Sequence, residues 1–135
     1  MTLIKWADQY KVNIGEIDEQ HIKLIDLVNE LYTALKNGGA RVILAGILAE
    51  MMDYAEYHFE TEETLFGLHL YPETVHHIQE HNMFKKTIIS LKEKHENEDY
   101  SASMETMCFL REWLKKHILV EDKKYAPFLI EKGCY

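Results

Sequence analysis

Residues 55–66 read Ala-Glu-Tyr-His-Phe-Glu-Thr-Glu-Glu-Thr-Leu-Phe, and on a helix Ala55, His58, Glu62 and Leu65 fall along one stripe. An imidazole and a carboxylate thus stand four residues apart in line with apolar side chains. Their Cβ atoms are about 5–6 Å apart, near enough for both groups to reach one point. The stripe continues back through Leu44, Leu48 and Met51, which predicts a helix over about 41–66 with Gly67 as its stop.

Outward from this segment the same periodicity recurs three times. Leu24, Ile25, Val28, Leu31, Tyr32 and Leu35 predict a helix over about 18–37, with Asp18 as its N-cap, Asn37-Gly38-Gly39 as its end and His21 on its apolar face. After Tyr71, Pro72 suits a first helical position, and a helix over about 72–95 places His77 and His81 four apart in line with Phe84. A fourth helix, over about 102–120, carries Met107, Leu110, Leu114 and His117 on one face. Pro127 argues against a long continuation, leaving a short helix over about 122–131. Short connections make sequential helices antiparallel, so the expected fold is all-α, an up-down-up-down four-helix bundle in a single domain spanning 1–135. Trp6, Tyr10, Val12, Ile14 and Ile17 make residues 1–17 too apolar for a solvated tail, and an arm packed on the bundle is expected.

Composition narrows the function classes. The net charge is −8, from 15 Lys and Arg against 23 Asp and Glu, with no basic cluster of the kind phosphate backbones require, so nucleic acid is not an expected partner. No apolar run approaches the ~20 residues of a membrane span, and the N-terminus lacks a signal-peptide core, so a cytoplasmic protein is expected. Cys108 and Cys134 form no CxxC pair and read as incidental thiols. The 6 Gly and 2 Pro are few for 135 residues, in keeping with long helices. What stands out is 8 histidines in an acidic chain.

Taken singly, a histidine on an apolar stripe is most often a core or boundary residue. Taken together, His21, His58, His77, His81 and His117 with Glu62 defeat that reading. Burying five imidazoles and a carboxylate without a partner costs several kcal/mol per group if charged and strands hydrogen-bonding atoms if neutral. A metal ion supplies the partner and holds imidazole neutral. On the fourth helix the carboxylate is open to choice. Glu121 follows His117 by four residues and fits the helical period, whereas Asp122 follows by five, about 140° round an ideal helix, and serves only if the backbone loosens after Ile118. His69, His76 and His95 read as surface residues, and Met51, Met52, Met104 and Met107 as core fillers.

The ordered pattern of Ile17-Asp18-Glu19-Gln20-His21, His58-x-x-x-Glu62, His77-x-x-x-His81 and His117-x-x-x-x-Asp122 resembles the hemerythrin family, in particular its single-domain bacterial members, from the Trp6 arm to about Phe128. The resemblance selects Asp122 over Glu121. It implies a non-haem di-iron centre with an oxo or hydroxo bridge, one iron on His77, His81 and His117, the other on His21 and His58, with Glu62 and Asp122 bridging. Two six-coordinate irons offer about twelve positions, and these ligands with the shared oxygen fill all but one. That position, on the iron of His21 and His58, is where O2 would bind. The implied function is reversible, non-enzymatic O2 binding for carriage, storage or delivery, by a monomer whose partners are O2 and an oxygen-consuming enzyme. Phe59, Trp113, Leu114 and Ile118 are the expected lining of a dry pocket. The alternatives are a di-iron redox enzyme acting on peroxide or nitric oxide, and an O2 or iron sensor; the absence of a second domain in these 135 residues weighs against the sensor.

Overall fold

The structure, a computed structural model, describes residues 3–135; Met1 and Thr2 of the expected arm lie outside the described residues. Four long helical stretches are connected in sequence: α1 (Gly15–Lys36), α2 (Ala40–His69), α3 (Thr74–Glu96) and a last one made of α4 (Ala102–Trp113), a π-helical segment (Leu114–Asp122) and α5 (Lys123–Glu131). α1 packs on α2 and α4, and α3 on the same two, which closes a four-membered antiparallel ring. No described helix is long and apolar enough to cross a membrane.

Each boundary has a local cause, and four differ from the sequence expectation. α1 begins at Gly15, three residues before Asp18. Asp18 sits in the first turn and turns its carboxylate back on the arm, accepting the Val12 and Asn13 N–H groups at 2.8 and 3.2 Å. The helix closes where Gly38 takes φ 78° and the Gly39 N–H reaches the Ala34 carbonyl at 2.8 Å. α2 runs through Gly67 to His69, because one glycine inside a helix costs only about 1 kcal/mol and does not end it. Its end is Leu70, in the left-handed conformation at φ 56°, with the Tyr71 N–H on the Phe66 carbonyl. α3 starts at Thr74, not Pro72. The Thr74 N–H and hydroxyl both donate to the Tyr71 carbonyl, so Pro72 occupies the second position of a turn that precedes the helix.

The fourth difference matters most. The helix expected to stop near Val120 does not stop; it widens into π geometry from Leu114 to Asp122 and continues through Pro127. In π geometry each N–H reaches back five residues, so groups five apart come into line.

A polar layer separates two apolar clusters, of which α1, α2 and the last helical stretch contribute to both and α3 to the larger alone. Leu24, Met51, Phe84 and Leu110 belong to the larger core, and Ile17, Phe66, Tyr71 and Tyr125 to a smaller one closed by the arm residues Val12 and Ile14. The Leu3 and Ile4 N–H groups donate to Asn29 Oδ1, which ties the start of the arm to α1. Between the two cores lie the buried histidines. Met51 and Met107 are buried as expected, whereas Met104 is 57 % exposed and fills no core.

Candidate metal centre

His21 on α1, His58 and Glu62 on α2, His77 and His81 on α3, and His117 and Asp122 on the π segment are all buried, none more than 2 % exposed. The four-residue spacings on α2 and α3 aim each pair across the bundle axis. On the fourth stretch the π turns decide between neighbouring carboxylates. Asp122 is fully buried with Oδ1 3.0 Å from His117 Nε2, while Glu121 turns away from the centre toward His76 on α3.

The donor atoms form two groups that share one carboxylate. Glu62, His77, His81 and His117 make one; His21, His58, Glu62 and Asp122 make the other, and within each the nitrogen and oxygen atoms lie within 4.8 Å of one another. Asp122 places Oδ1 2.9 Å from His77 Nε2 and Oδ2 3.1 Å from His21 Nε2, one oxygen toward each group. Glu62 Oε1 is 3.3 Å from His58 Nε2 and 3.1 Å from His81 Nε2. Its other oxygen accepts the Tyr125 hydroxyl at 2.5 Å.

Electrostatics and hydrogen bonding both ask for a cation here. Burial pushes the His81 imidazole down to about 3 and His58 well below its ordinary value, so both keep a free nitrogen lone pair. Burial, followed by repulsion from Asp122, raises Glu62 to about 7. Glu62 Oε1, Asp122 Oδ2, His81 Nε2 and His117 Nε2 are buried without a hydrogen-bond partner, although each lies close to another of the group. Their separations are short but their angles are not those of hydrogen bonds. Four stranded polar atoms in one buried layer are rare in folded proteins, and cations bound in the two groups would relieve them. The donor set of imidazoles and carboxylates fits divalent iron.

The sequence reading did not single out the residues that hold the imidazoles in place. His58 Nδ1 meets Gln20 Oε1 at 2.5 Å, His81 Nδ1 meets Glu63 Oε2 at 2.8 Å, and His117 Nδ1 meets Glu80 Oε2 at 3.0 Å. Each Nδ1–H donated outward leaves Nε2 facing the centre. Their mark in the sequence is adjacency: Gln20, Glu63 and Glu80 each adjoin a centre residue and support the imidazole of a neighbouring helix.

The expected pocket lining is buried but unevenly placed. Phe59 stacks on His81 at 3.8 Å and Trp113 on His117 at 3.9 Å, so both cover the three-histidine group. The ring stacked on His58 is Tyr54, at 5.0 Å, a residue the sequence reading passed over. Ile118 lies in the larger core. Leu114 is 3 % exposed and lines a groove of about 540 Å³ between Leu3, Ile4 and Tyr10 of the arm and the fourth helical stretch. His76 is exposed, as expected of a surface residue, whereas His69 is partly covered and its Nε2 lies 3.2 Å from Cys134 Sγ.

Residues 12–129 match the sequence model of the hemerythrin HHE cation binding domain. The chain belongs to the hemerythrin family. It is 32 % identical over 124 residues to the bacteriohemerythrin of Clostridium acetobutylicum, covering 89 % of this chain and 96 % of that protein. The bacteriohemerythrin of Methylococcus capsulatus is likewise 32 % identical over 130 residues, with 96 % and 98 % covered. Among solved structures, a wild-type hemerythrin superposes with a TM-score of 0.82 at 32 % identity, covering 94 % of this chain and 98 % of the other. As a hemerythrin, the chain is an O2-binding protein with a non-haem di-iron centre, and the clustered histidines and carboxylates between its two cores are where metal ions fit.

Proposed function

We propose that this hemerythrin binds O2 reversibly, for carriage, storage or delivery to an oxygen-consuming enzyme, and that it acts as a binding protein and not as an enzyme. The observation that supports this reading is the pair of donor groups sharing Glu62, rich in imidazole and poor in carboxylate. Carboxylate-rich di-iron sites in four-helix bundles draw a Glu from each of two helices and a Glu-x-x-His motif from each of the other two, a set this chain lacks. His77, His81 and His117 would hold one iron, His21 and His58 the other, and Glu62 and Asp122 would span both. When bound, the two irons supply the electrons that O2 takes up on binding and returns on release.

The chain's own residues do the rest. Gln20, Glu63 and Glu80 hold three imidazoles in one tautomer and one orientation. Tyr125, whose hydroxyl stays protonated because burial pushes its pKa well up, fixes Glu62 by donating to Oε2. Phe59, Trp113, Leu114 and Ile118 exclude water, which would otherwise promote irreversible oxidation of the centre.

The test is spectroscopic. Iron per chain is measured, the protein is reduced without oxygen, O2 is added and then sparged away. A visible charge-transfer band that appears and disappears at constant amplitude supports the carrier; a single irreversible turnover with peroxide or nitric oxide consumed supports an enzyme instead.

Two substitutions probe the supporting residues. Glu63→Gln removes the charge-assisted bond to His81 Nδ1, and about 10- to 100-fold weaker iron retention against a competing chelator is expected. Leu114→Ser opens the wall between the groove and the core, and autoxidation about tenfold faster, a barrier lower by about 1.4 kcal/mol, is expected from the decay of the oxygenated spectrum. An unchanged decay rate would remove Leu114 from the gate.

A further inference from the structure

A second cluster of metal-ligating side chains lies just outside the first. His76, Glu80 and Glu121 place one donor atom each within 4.8 Å of one another. His76 Nε2 is 3.5 Å from Glu121 Oε2 and 3.9 Å from Glu80 Oε2. Three ligands about 2.1 Å from a tetrahedral ion are separated by about 3.4 Å, so small side-chain rotations suffice to close the site. We propose that His76, Glu80 and Glu121 form an outer divalent-cation site that takes up the metal destined for the buried centre.

The placement follows from the same backbone that builds the centre. His76 precedes His77, Glu80 precedes His81, and Glu121 precedes Asp122. Successive residues on a helix point about 100° apart, so three positions that aim one set of groups inward aim their neighbours toward the surface. Glu121 completes the group for a particular reason. In α geometry it would lie in line with His117, four residues earlier; the π turns give that place to Asp122 and leave Glu121 facing α3.

Access and connection support an uptake role. The side chain of His76 is 53 % exposed, that of Glu80 30 % and that of Glu121 16 %, against none above 3 % in the centre. Glu80 belongs to both layers, since its Oε2 also accepts the His117 Nδ1–H. One imidazole and two carboxylates suit Fe(II) and similar ions. Three ligands, one exposed and two half-buried, bind weakly, as a site that must pass its ion inward should. Lys124 Nζ, 3.2 Å from Glu121 Oε1, is the neighbouring cation with which a bound ion competes.

The proposal takes from the di-iron reading only the identity of the cargo, and two measurements separate them. Protein already holding its two irons is titrated with Co(II) by calorimetry. A third, weaker equivalent is expected, lost in His76→Ala and in Glu121→Gln while iron per chain stays unchanged. Glu80 is left intact because it also supports His117. Metal-free protein is then mixed anaerobically with Fe(II) and loading is followed by stopped flow. About tenfold slower loading to the same end point is expected for both variants. Absence of the third equivalent from the unsubstituted protein, or its survival in both variants, overturns the site. A third equivalent lost without any change in loading rate overturns the uptake role. If the unsubstituted protein never reaches two irons, it is the di-iron reading that has failed.

Discussion

Replacing His81 with alanine is expected to cut the iron content from two per chain to one or none. His81 Nε2 is 3.1 Å from Glu62 Oε1, in the group of donors it shares with His77 and His117. Removing it takes one of three imidazoles from that group and leaves Glu62 facing the gap. The Glu63 carboxylate, which accepts the His81 Nδ1–H at 2.8 Å, loses its partner at the same time. Loss of the ring also exposes the face of Phe59, on which it stacks with an interplanar angle of 3°. Because that change alone costs packing, the variant is checked by far-ultraviolet circular dichroism, and only a helical sample is assayed for iron. His95→Ala serves as the control and should leave iron untouched. Full occupancy in a folded His81→Ala protein would contradict its role as a ligand.

Stripping the metal from the intact chain should lower its melting temperature steeply. Each ion that binds only the folded state stabilises it by about 4 kcal/mol at a thousandfold excess over its dissociation constant, and there are two donor groups. For a domain of this size 1 kcal/mol moves the midpoint by a few degrees, so a fall on the order of 20 °C is expected. The metal-free chain carries a further cost. Glu62 Oε1, Asp122 Oδ2, His81 Nε2 and His117 Nε2 stay buried without hydrogen bonds. Iron is removed by reduction and chelation, melting is followed by circular dichroism, and Fe(II) is added back anaerobically. A metal-free midpoint within about 5 °C of the loaded one would show that the polar layer is not held together by metal.

How much was legible depends on how far apart the interacting groups lie in sequence. The stripe through Ala55, His58, Glu62 and Leu65 was readable because the period of a helix is a local property. The same holds for His77 and His81. Gly67 misled because a glycine is a weak terminator, and the end of α2 is set by Leu70 entering the left-handed region, a conformation its side chain does not advertise. Pro72 misled because a turn and a first helical position make the same demand on φ. The partners Gln20, Glu63 and Glu80 reach imidazoles 38, 18 and 37 residues away, and no local pattern encodes such a distance.

The sequence by itself determined four long amphipathic stretches and the inward aim of five imidazoles and Glu62, because those follow from spacing along a single helix. Tertiary structure decided the carboxylate of the last stretch. Helical period favours Glu121; the π turns from Leu114 to Asp122 bring Asp122 into the core and leave Glu121 beside His76 and Glu80. Tertiary structure also decided how the imidazoles divide into two groups around Glu62 and which side chains fix their tautomers. Those are distances between helices, and they exist only once the bundle has closed.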